Sequence, residues 1–392
     1  MATAKKYKIN NELFEEKDFL KDCPDSKFIP TNLPAVKRII AIGDIHGDVN
    51  LARRSLKLAN LIDDDDNWVA NPPDTVVVQV GDQIDSCRPI KNVYDCHNQR
   101  HSYDVPEDMA VVKFFNDMQK KAEKVGGAVY SLLGNHELMN AQGNFDYVSY
   151  SNFYEFDYKA DDGNIYQGPE GRKRAFKPGG PVSKLFACDR KSVLVIGSTM
   201  FIHAGILPIL AEKLEYLNID GRSKLRYLNS VVRKWLLHKL SEISKDDASM
   251  FIGNMILSPF WTRIYGQIPE NTSLESNECF TSVKKTFEVF KIGKIVVGHT
   301  PQLFTNNDGI NGTCYGKDGE KNLYRIDGGF SKAFQIFGSK YLVQVLEIIN
   351  DQEFRIITDT YMDEYGKKET ISINESQMPN VSYIYSQNRI RT

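Results

Sequence analysis

The sequence predicts an α/β fold built from parallel βαβ units, and three observations predict it. Short apolar runs alternate along the chain with stretches of helical periodicity, the pattern of strands joined by crossover helices. Several of those runs stop at a glycine beside a side chain able to hold a metal ion. Open α/β sheets assemble their chemistry at that carboxyl edge of the strands. Finally, 41% hydrophobic and 26% charged residues match an ordinary globular protein rather than a disordered or membrane-embedded one.

Residues 1–36 are polar with weak periodicity and read as an arm lying over the surface. The core begins with Arg38-Ile39-Ile40-Ala41-Ile42, a strand, followed by a helix near 49–60. A strand over 75–80, a helix over 107–124 and a strand over 128–133 continue the alternation. The acidic run 63–66 falls between them and reads as a solvated loop. Residues 147–180 are aromatic, polar and Gly-rich, an ordered insertion over the site. Helices are expected near 209–217 and 225–240. In the second, Val231, Val232, Trp235, Leu236 and Leu240 recur at helical spacing, which assigns Trp235 to the core. Strands follow at 323–326, 341–349 and 353–361, the last two joined by Asn350-Asp351-Gln352 as a hairpin. The tail 367–392 is polar and is expected to be partly disordered. No repeat or linker divides the span 37–366, so it is expected to form one domain between the arm and the tail.

A chain of 392 residues can bury an ample core. Its net charge of −2 and pI near 6.4 offer no basic surface for nucleic acid. No apolar signal core follows Met1. The longest apolar stretch, 193–210, is broken by His203, two glycines and Pro208, so it reads as core strands and not a membrane span. Six cysteines are ordinary usage, and a reducing setting, cytoplasmic or otherwise intracellular, is the expectation. Cys87 and Cys96 read as free thiols in a polar loop. A disulfide between them, or a zinc site with His97 and His101, are the alternatives. Cys23, Cys188, Cys279 and Cys314 show no ligand spacing.

Five segments carry the chemistry: Gly43-Asp44-Ile45-His46-Gly47-Asp48, Gly81-Asp82-Gln83-Ile84-Asp85, Gly134-Asn135-His136-Glu137, Ile202-His203-Ala204-Gly205 and Gly298-His299-Thr300-Pro301. Hard divalent cations that activate water take carboxylate, carbonyl and imidazole ligands. Asp44, His46, Asp82, Asn135, His203 and His299 supply those types. In Asp44-x-His46 the two-residue spacing on an extended chain points both side chains the same way. Six ligands are too many for one ion with an open position and natural for two ions sharing a bridge. Two ions roughly 3.5–4 Å apart lower the pKa of a bridging water and clamp the oxygens of an in-line displacement. The pattern therefore reads as metal-dependent hydrolysis.

With those segments in order, the chain resembles the calcineurin-like metallophosphoesterases, and within them the phosphoprotein phosphatase family. Arg174-Ala-Phe-Lys-Pro-Gly-Gly180, Trp261-Thr-Arg263-Ile-Tyr and Arg325-Ile-Asp327-Gly-Gly resemble the Shewanella-like, bacterial-type branch. The resemblance spans about Arg38 to Tyr361. It implies two mixed β-sheets packed as a central sandwich flanked by helices, with a dimetal site at the strand carboxyl ends. It implies Asp44, His46 and Asp82 on one ion and Asp82, Asn135, His203 and His299 on the other, Asp82 bridging. Manganese is the cation it implies first, with iron or zinc as alternatives.

The same resemblance implies hydrolysis of phosphoserine and phosphothreonine, and of phosphotyrosine in some members, by direct attack of a dimetal-bridging hydroxide. His136, beside ligand Asn135, is then the general acid, and Asp85 the carboxylate that holds its ring. Phosphate calls for arginine, whose planar guanidinium meets two oxygens at once. The family has arginine directly after Asp85, whereas this chain has Ser86. Arg88, Arg263 and Arg174 are the candidates. A deep cleft would suit phosphotyrosine, and Tyr150, Phe153, Tyr154, Phe330 and Phe334 read equally as cleft or core. The C-terminal segment on which the family's regulatory subunits and toxins depend has no match here, Ile326 to Phe334 standing in its place. No shared regulatory subunit is therefore expected, and a phosphorylated protein or peptide is the expected partner. A nucleotide phosphohydrolase of the diadenosine polyphosphatase type is the alternative, since it uses the same ligands. The Gly-His-x-His ending of family phosphodiesterases is absent, because Pro301 takes the place of the second histidine. A non-catalytic phosphoprotein-binding module would have lost a ligand or the acid, and none is missing.

Overall fold

The computed structural model describes residues 15–360 apart from positions 92, 93, 99, 101–103, 162, 254, 255, 306, 308 and 338–341. The first fourteen residues of the arm, the tail 367–392 and the candidate zinc ligand His101 lie outside the described residues.

Strand β1 (Asn32–Leu33) leads into β2 (Arg38–Ile42), β3 (Val76–Gln79) and β4 (Ala128–Leu132), the three apolar runs that the sequence marks. Strands β5 (Asp157–Lys159) and β6 (Ile165–Gln167) make a small hairpin inside the insertion. After the short β7 (Arg190–Lys191), β8 (Val193–Ile196) turns through Gly197, at φ +62°, into β9 (Thr199–Ile202). Only glycine holds that left-handed turn position at no steric cost. β10 (Lys294–Val297) pairs in parallel with β9 and β12 (Lys321–Arg325), β11 (Asn311–Tyr315) pairs back onto β12, and β13 (Leu342–Ile349) and β14 (Glu353–Thr360) form the expected antiparallel hairpin.

These strands build two six-stranded mixed sheets, ordered β14-β13-β2-β3-β4-β7 and β1-β8-β9-β10-β12-β11. The centre of the first, β2-β3-β4, is parallel, and so is β9-β10-β12 in the second. Alternation along each strand explains the layering. Ile39, Ala41, Val76 and Val78 meet Leu194, Phe201, Val296 and Ile326 between the sheets. The intervening Ile40, Ile42, Val77 and Val129 face Leu51, Leu56, Phe115 and Met118 from two covering helices. On the far side, Val193, Val195, Met200 and Ile202 pack on Leu225, Leu228, Val232 and Leu236, with Trp235 half-buried at their edge. The result is a β-sandwich flanked by helices, the arrangement expected.

Helix boundaries follow from local chemistry. The Asp48 carboxylate accepts the Leu51 N–H at 2.9 Å and caps the Val49–Leu58 helix. In the Asp108–Glu123 helix, Val111, Phe114, Phe115, Met118 and Ala122 form one buried stripe at helical spacing. The described part of the arm is helical over 15–22. It lies on the Gly221–Leu236 helix, where Asp18 pairs with Arg233 and Lys234 and Asp22 with Arg233, and Asp22 also pairs with Lys239 just past the helix end.

All six cysteines are paired: Cys23–Cys188, Cys87–Cys96 and Cys279–Cys314. This corrects the expectation of free thiols at Cys87 and Cys96 and removes their thiolates from any zinc site. His97 Nε2–H donates to the Phe145 carbonyl instead, at 2.9 Å. Two of the bridges join segments 165 and 35 residues apart, pairings that spacing alone cannot reveal. Cys23–Cys188 fastens the arm to the Pro181–Asp189 helix and closes the longest loop, so opening it is expected to cost about 2–5 kcal/mol. Denaturant midpoints of the wild type and of Cys23→Ser/Cys188→Ser, with and without reducing agent, measure this. A wild-type midpoint indifferent to reductant would contradict the pairing.

Candidate metal centre and active site

The loops after β2, β3, β4, β9, β10 and β12 bring Asp44, Asp82, Asn135, His203, His299 and Asp327 together. Backbone hydrogen bonds fix the first two loops against each other. The N–H groups of Ile45 and His46 both donate to the Asp82 carbonyl, at 3.0 and 2.9 Å. Glu137, inside the Asn135–Gln142 helix, accepts the N–H groups of Gly134, Asp82 and Gln83 at 2.7, 3.0 and 2.8 Å. Its fully buried carboxylate thereby locks the β3 and β4 loops together. His46, Asp82, Asp85 and His299 hold positive φ of 47°, 53°, 73° and 67°. Non-glycine residues accept that conformation at a cost of order 1–3 kcal/mol each, and such strain gathers at functional sites.

Two triads of ligand atoms, each within 4.8 Å, share Asp82: one with His46 and His136, the other with His203 and His299. Asp82 Oδ2 lies 3.9 Å from His46 Nε2 and 3.3 Å from His203 Nε2. Asn135 Oδ1 is 2.9 Å from His203 Nε2 and 2.8 Å from His299 Nδ1. Asp44 Oδ2 is 3.9 Å from His46 Nε2 and accepts the His299 N–H at 3.1 Å. Each ligand ring is anchored through its other nitrogen to a backbone carbonyl: His46 to Ile84, His203 to Val80 and His299 to Trp261. Such partners orient imidazoles for metal binding.

The electrostatics fit cations. Burial pushes the Asp44 carboxyl well above its usual range, with Asp327 and Asp82 adding to the rise. Burial pushes Asp327 up to about 6. Its Oδ2 is buried without a hydrogen-bond partner. At Asp82 burial is outweighed by the His203, His136 and His46 rings, which hold its carboxyl well below the usual range. Burial drives His46 and His299 well below the ordinary imidazole value, so both are neutral donors near pH 7. Crowded buried carboxylates beside the neutral rings of His46 and His299 form a hard-cation donor set. Asp327, marked in the sequence only within Arg325-Ile-Asp327-Gly-Gly, stands beside Asp44 in the fold.

His136 turns away from the backbone anchors used by the other rings. Its Nδ1 is 2.8 Å from Asp85 Oδ2, which leaves Nε2 3.8 Å from Asp82 Oδ2. A cavity of ≈ 170 Å³ opens here, lined by His46, Asp82, Asn135, His136 and His299 together with Arg88, Arg263, Tyr147, Trp261, Phe304 and Phe334. Arg88 reaches it despite Ser86. Its guanidinium lies 4.5 Å from the Phe334 ring centre and donates to the carbonyls of Asp85 and Cys87 at 3.0 and 2.7 Å. Arg263 donates to the His299 carbonyl at 3.1 Å. Arg174 is engaged elsewhere, with Glu170 at 2.9 Å and over the Tyr166 ring, and does not line the cavity. That corrects the phosphate role expected for it. Of the five aromatics left open, Phe334 lines the cavity, whereas Phe153 is buried and Tyr154 exposed.

Behind the site, burial and the Asp108 carboxyl push Glu155 up to about 7. Folded Glu155 therefore keeps a proton that the unfolded chain releases near pH 4.5. Stability from this group is full below that value and lost as pH rises to about 7. Denaturant midpoints at about pH 5 and about pH 8 should converge in Glu155→Gln relative to wild type. An unchanged difference would contradict the assignment.

With this geometry in view, the calcineurin-like phosphoesterase family matches residues 37–303. The chain belongs to that family. It is accordingly a phosphoesterase hydrolase, and the branch expected from its motifs is the one its relatives occupy. A protein of Acanthamoeba polyphaga mimivirus is 63% identical over 246 residues, covering 62% of this chain and 98% of that one. Shewanella-like protein phosphatase 2 of Arabidopsis thaliana is 28% identical over 374 residues, 87% of this chain and 83% of the relative. A cold-active protein tyrosine phosphatase shares the fold with a TM-score of 0.58 at 19% identity, over 84% of this chain and 81% of the other.

Proposed function

We propose that this phosphoesterase is a phosphoprotein phosphatase that hydrolyses phosphomonoesters of serine, threonine and tyrosine side chains. The observation that carries the reading is the pair of ligand triads sharing Asp82 in one cavity with His136, Arg88 and Arg263. Two divalent ions, manganese first among them, supply the activated water and neutralise phosphoryl charge when bound. Asp44, His46, Asp82, Asn135, His203 and His299 would hold them.

The remaining work falls to the chain's own groups. Arg88 and Arg263 orient the phosphoryl oxygens. His136, held through Nδ1 by Asp85, presents Nε2 to the leaving oxygen and gives it a proton. The aromatic walls exclude water and offer a phenyl ring apolar faces. Relatives named as protein phosphatases support the substrate class. Among the described residues no helix is long and apolar enough to cross a membrane. The paired cysteines favour maturation in an oxidising setting over the reducing one expected.

The test is phosphate release from phosphoserine, phosphothreonine and phosphotyrosine peptides beside diadenosine tetraphosphate, with manganese and with chelator. Release from peptides, lost on chelation, supports the proposal, whereas turnover of the dinucleotide alone moves the chain to the nucleotide phosphohydrolases. Arg88→Ala and Arg263→Ala should each lower kcat/KM about 10–100-fold, the value of a charge-assisted hydrogen bond to phosphate. Full efficiency in both variants would contradict the phosphate assignment.

A further inference from the structure

Asp85, which holds His136, is itself held. Both its oxygens accept from Asn140 Nδ2, at 3.0 and 2.9 Å, and its N–H donates to Asp108 Oδ1 at 3.0 Å. Its Oδ1 also accepts from Arg172 Nη2 at 3.0 Å, and the same nitrogen donates to Asp108 Oδ2 at 2.8 Å. Arg172, Asp85 and Asp108 are each 0% exposed in their side chains. The rest of the guanidinium is also fixed: Nε donates to Asn140 Oδ1 at 2.7 Å and Nη1 to the Asn152 carbonyl at 3.1 Å. It lies 4.7 Å from the Phe176 ring centre.

A fully buried arginine is costly to desolvate, and a hydrophobic side chain would pack the same space at lower risk. This one spends its donors on the carboxylate that orients the proposed proton donor. The insertion that carries Arg172 follows both Asp85 and His136 in the chain, so the contact is a tertiary addition to the His136–Asp85 pair. Asp85 Oδ1 is occupied by Arg172, which leaves Oδ2 to face His136 Nδ1.

We propose that Arg172, backed by Asp108, is a positioning residue for proton donation by His136. It fixes the rotamer of Asp85, and through it the direction of His136 Nε2, without touching substrate. The inference rests on the phosphatase reading for its chemistry. It predicts dependence on the leaving group, because a poor leaving oxygen needs the proton and a good one does not.

The experiment measures kcat and KM for phosphoserine peptide, phenyl phosphate and 2,4-dinitrophenyl phosphate in Arg172→Lys, Asp108→Asn, His136→Asn and His136→Asn/Arg172→Lys. Bound metal is counted in each. Arg172→Lys and Asp108→Asn should lose about 10–100-fold in kcat on the first two substrates, with KM held, as when an outer partner of a site residue is removed. On dinitrophenyl phosphate they should lose little. In the His136→Asn background Arg172→Lys should cost nothing further, since the two act as one unit. Equal losses on all substrates with metal retained would overturn the proposal, as would additive losses in the double variant. Should Arg172→Lys not fold, Asp108→Asn with its own leaving-group contrast decides the matter. If the wild type cleaves the aryl phosphates but no phosphopeptide, the phosphoprotein reading fails. The phenyl and dinitrophenyl pair still tests the role of Arg172.

Discussion

Asp82→Asn is expected to abolish turnover and to lose bound metal together. The carboxylate stands in both ligand triads, so its charge would serve two ions rather than one. An amide keeps the shape and the contact to the His136 N–H, now 3.0 Å from Oδ1, but cannot bridge two cations with charge. Losing several kcal/mol of charge stabilisation corresponds to more than about 10³-fold in rate. Elemental analysis of the purified variant, beside phosphate release from a phosphopeptide, reads both effects. Two ions retained with wild-type turnover would remove Asp82 from the centre of the site.

His136→Asn should separate chemistry from metal binding. The ring contacts Asp85 through Nδ1 and lies in one of the ligand triads, yet the other histidines are the ones anchored to backbone carbonyls. That difference supports the proposed division of labour, His136 for proton transfer and the others for the ions. Removing a general acid costs roughly 10²–10⁴ in rate. The variant should therefore bind two ions, hold KM within a small factor and lose kcat by that amount on phosphoserine peptide. Loss of metal along with activity would make His136 a ligand. An unchanged kcat would leave the leaving group's proton without a source.

The candidate ligands were legible in the sequence because each sits within a few residues of a strand's end, where local pattern and chemistry coincide. Val76-Val77-Val78 followed by Gly81-Asp82 is enough to place Asp82 at a carboxyl edge. Periodicity suggested parallel units but not two sheets, because β8 and β9 read the same whether paired with each other or with β4. Arg172 was missed while Arg174 was named. Both lie in the Gly168–Phe176 helix, but residues two apart point to different faces. A signal was present: Gly168, Gly171, Arg172, Ala175 and Phe176 form one buried stripe, and an arginine inside such a stripe calls for a buried partner. Asp327 had no comparable mark, since its role depends on β12 lying beside β10. Cys23–Cys188 and Cys279–Cys314 were invisible for the same reason, joining segments that only the folded chain brings together, whereas Cys87–Cys96, nine residues apart, stood among the alternatives.

Titrating manganese into chelator-stripped protein while following phosphate release from a phosphopeptide tests the central claim most directly. Activity should be absent without metal and return in full as two ions bind per chain. Full hydrolysis by the stripped protein, or none with two ions bound, would contradict the account.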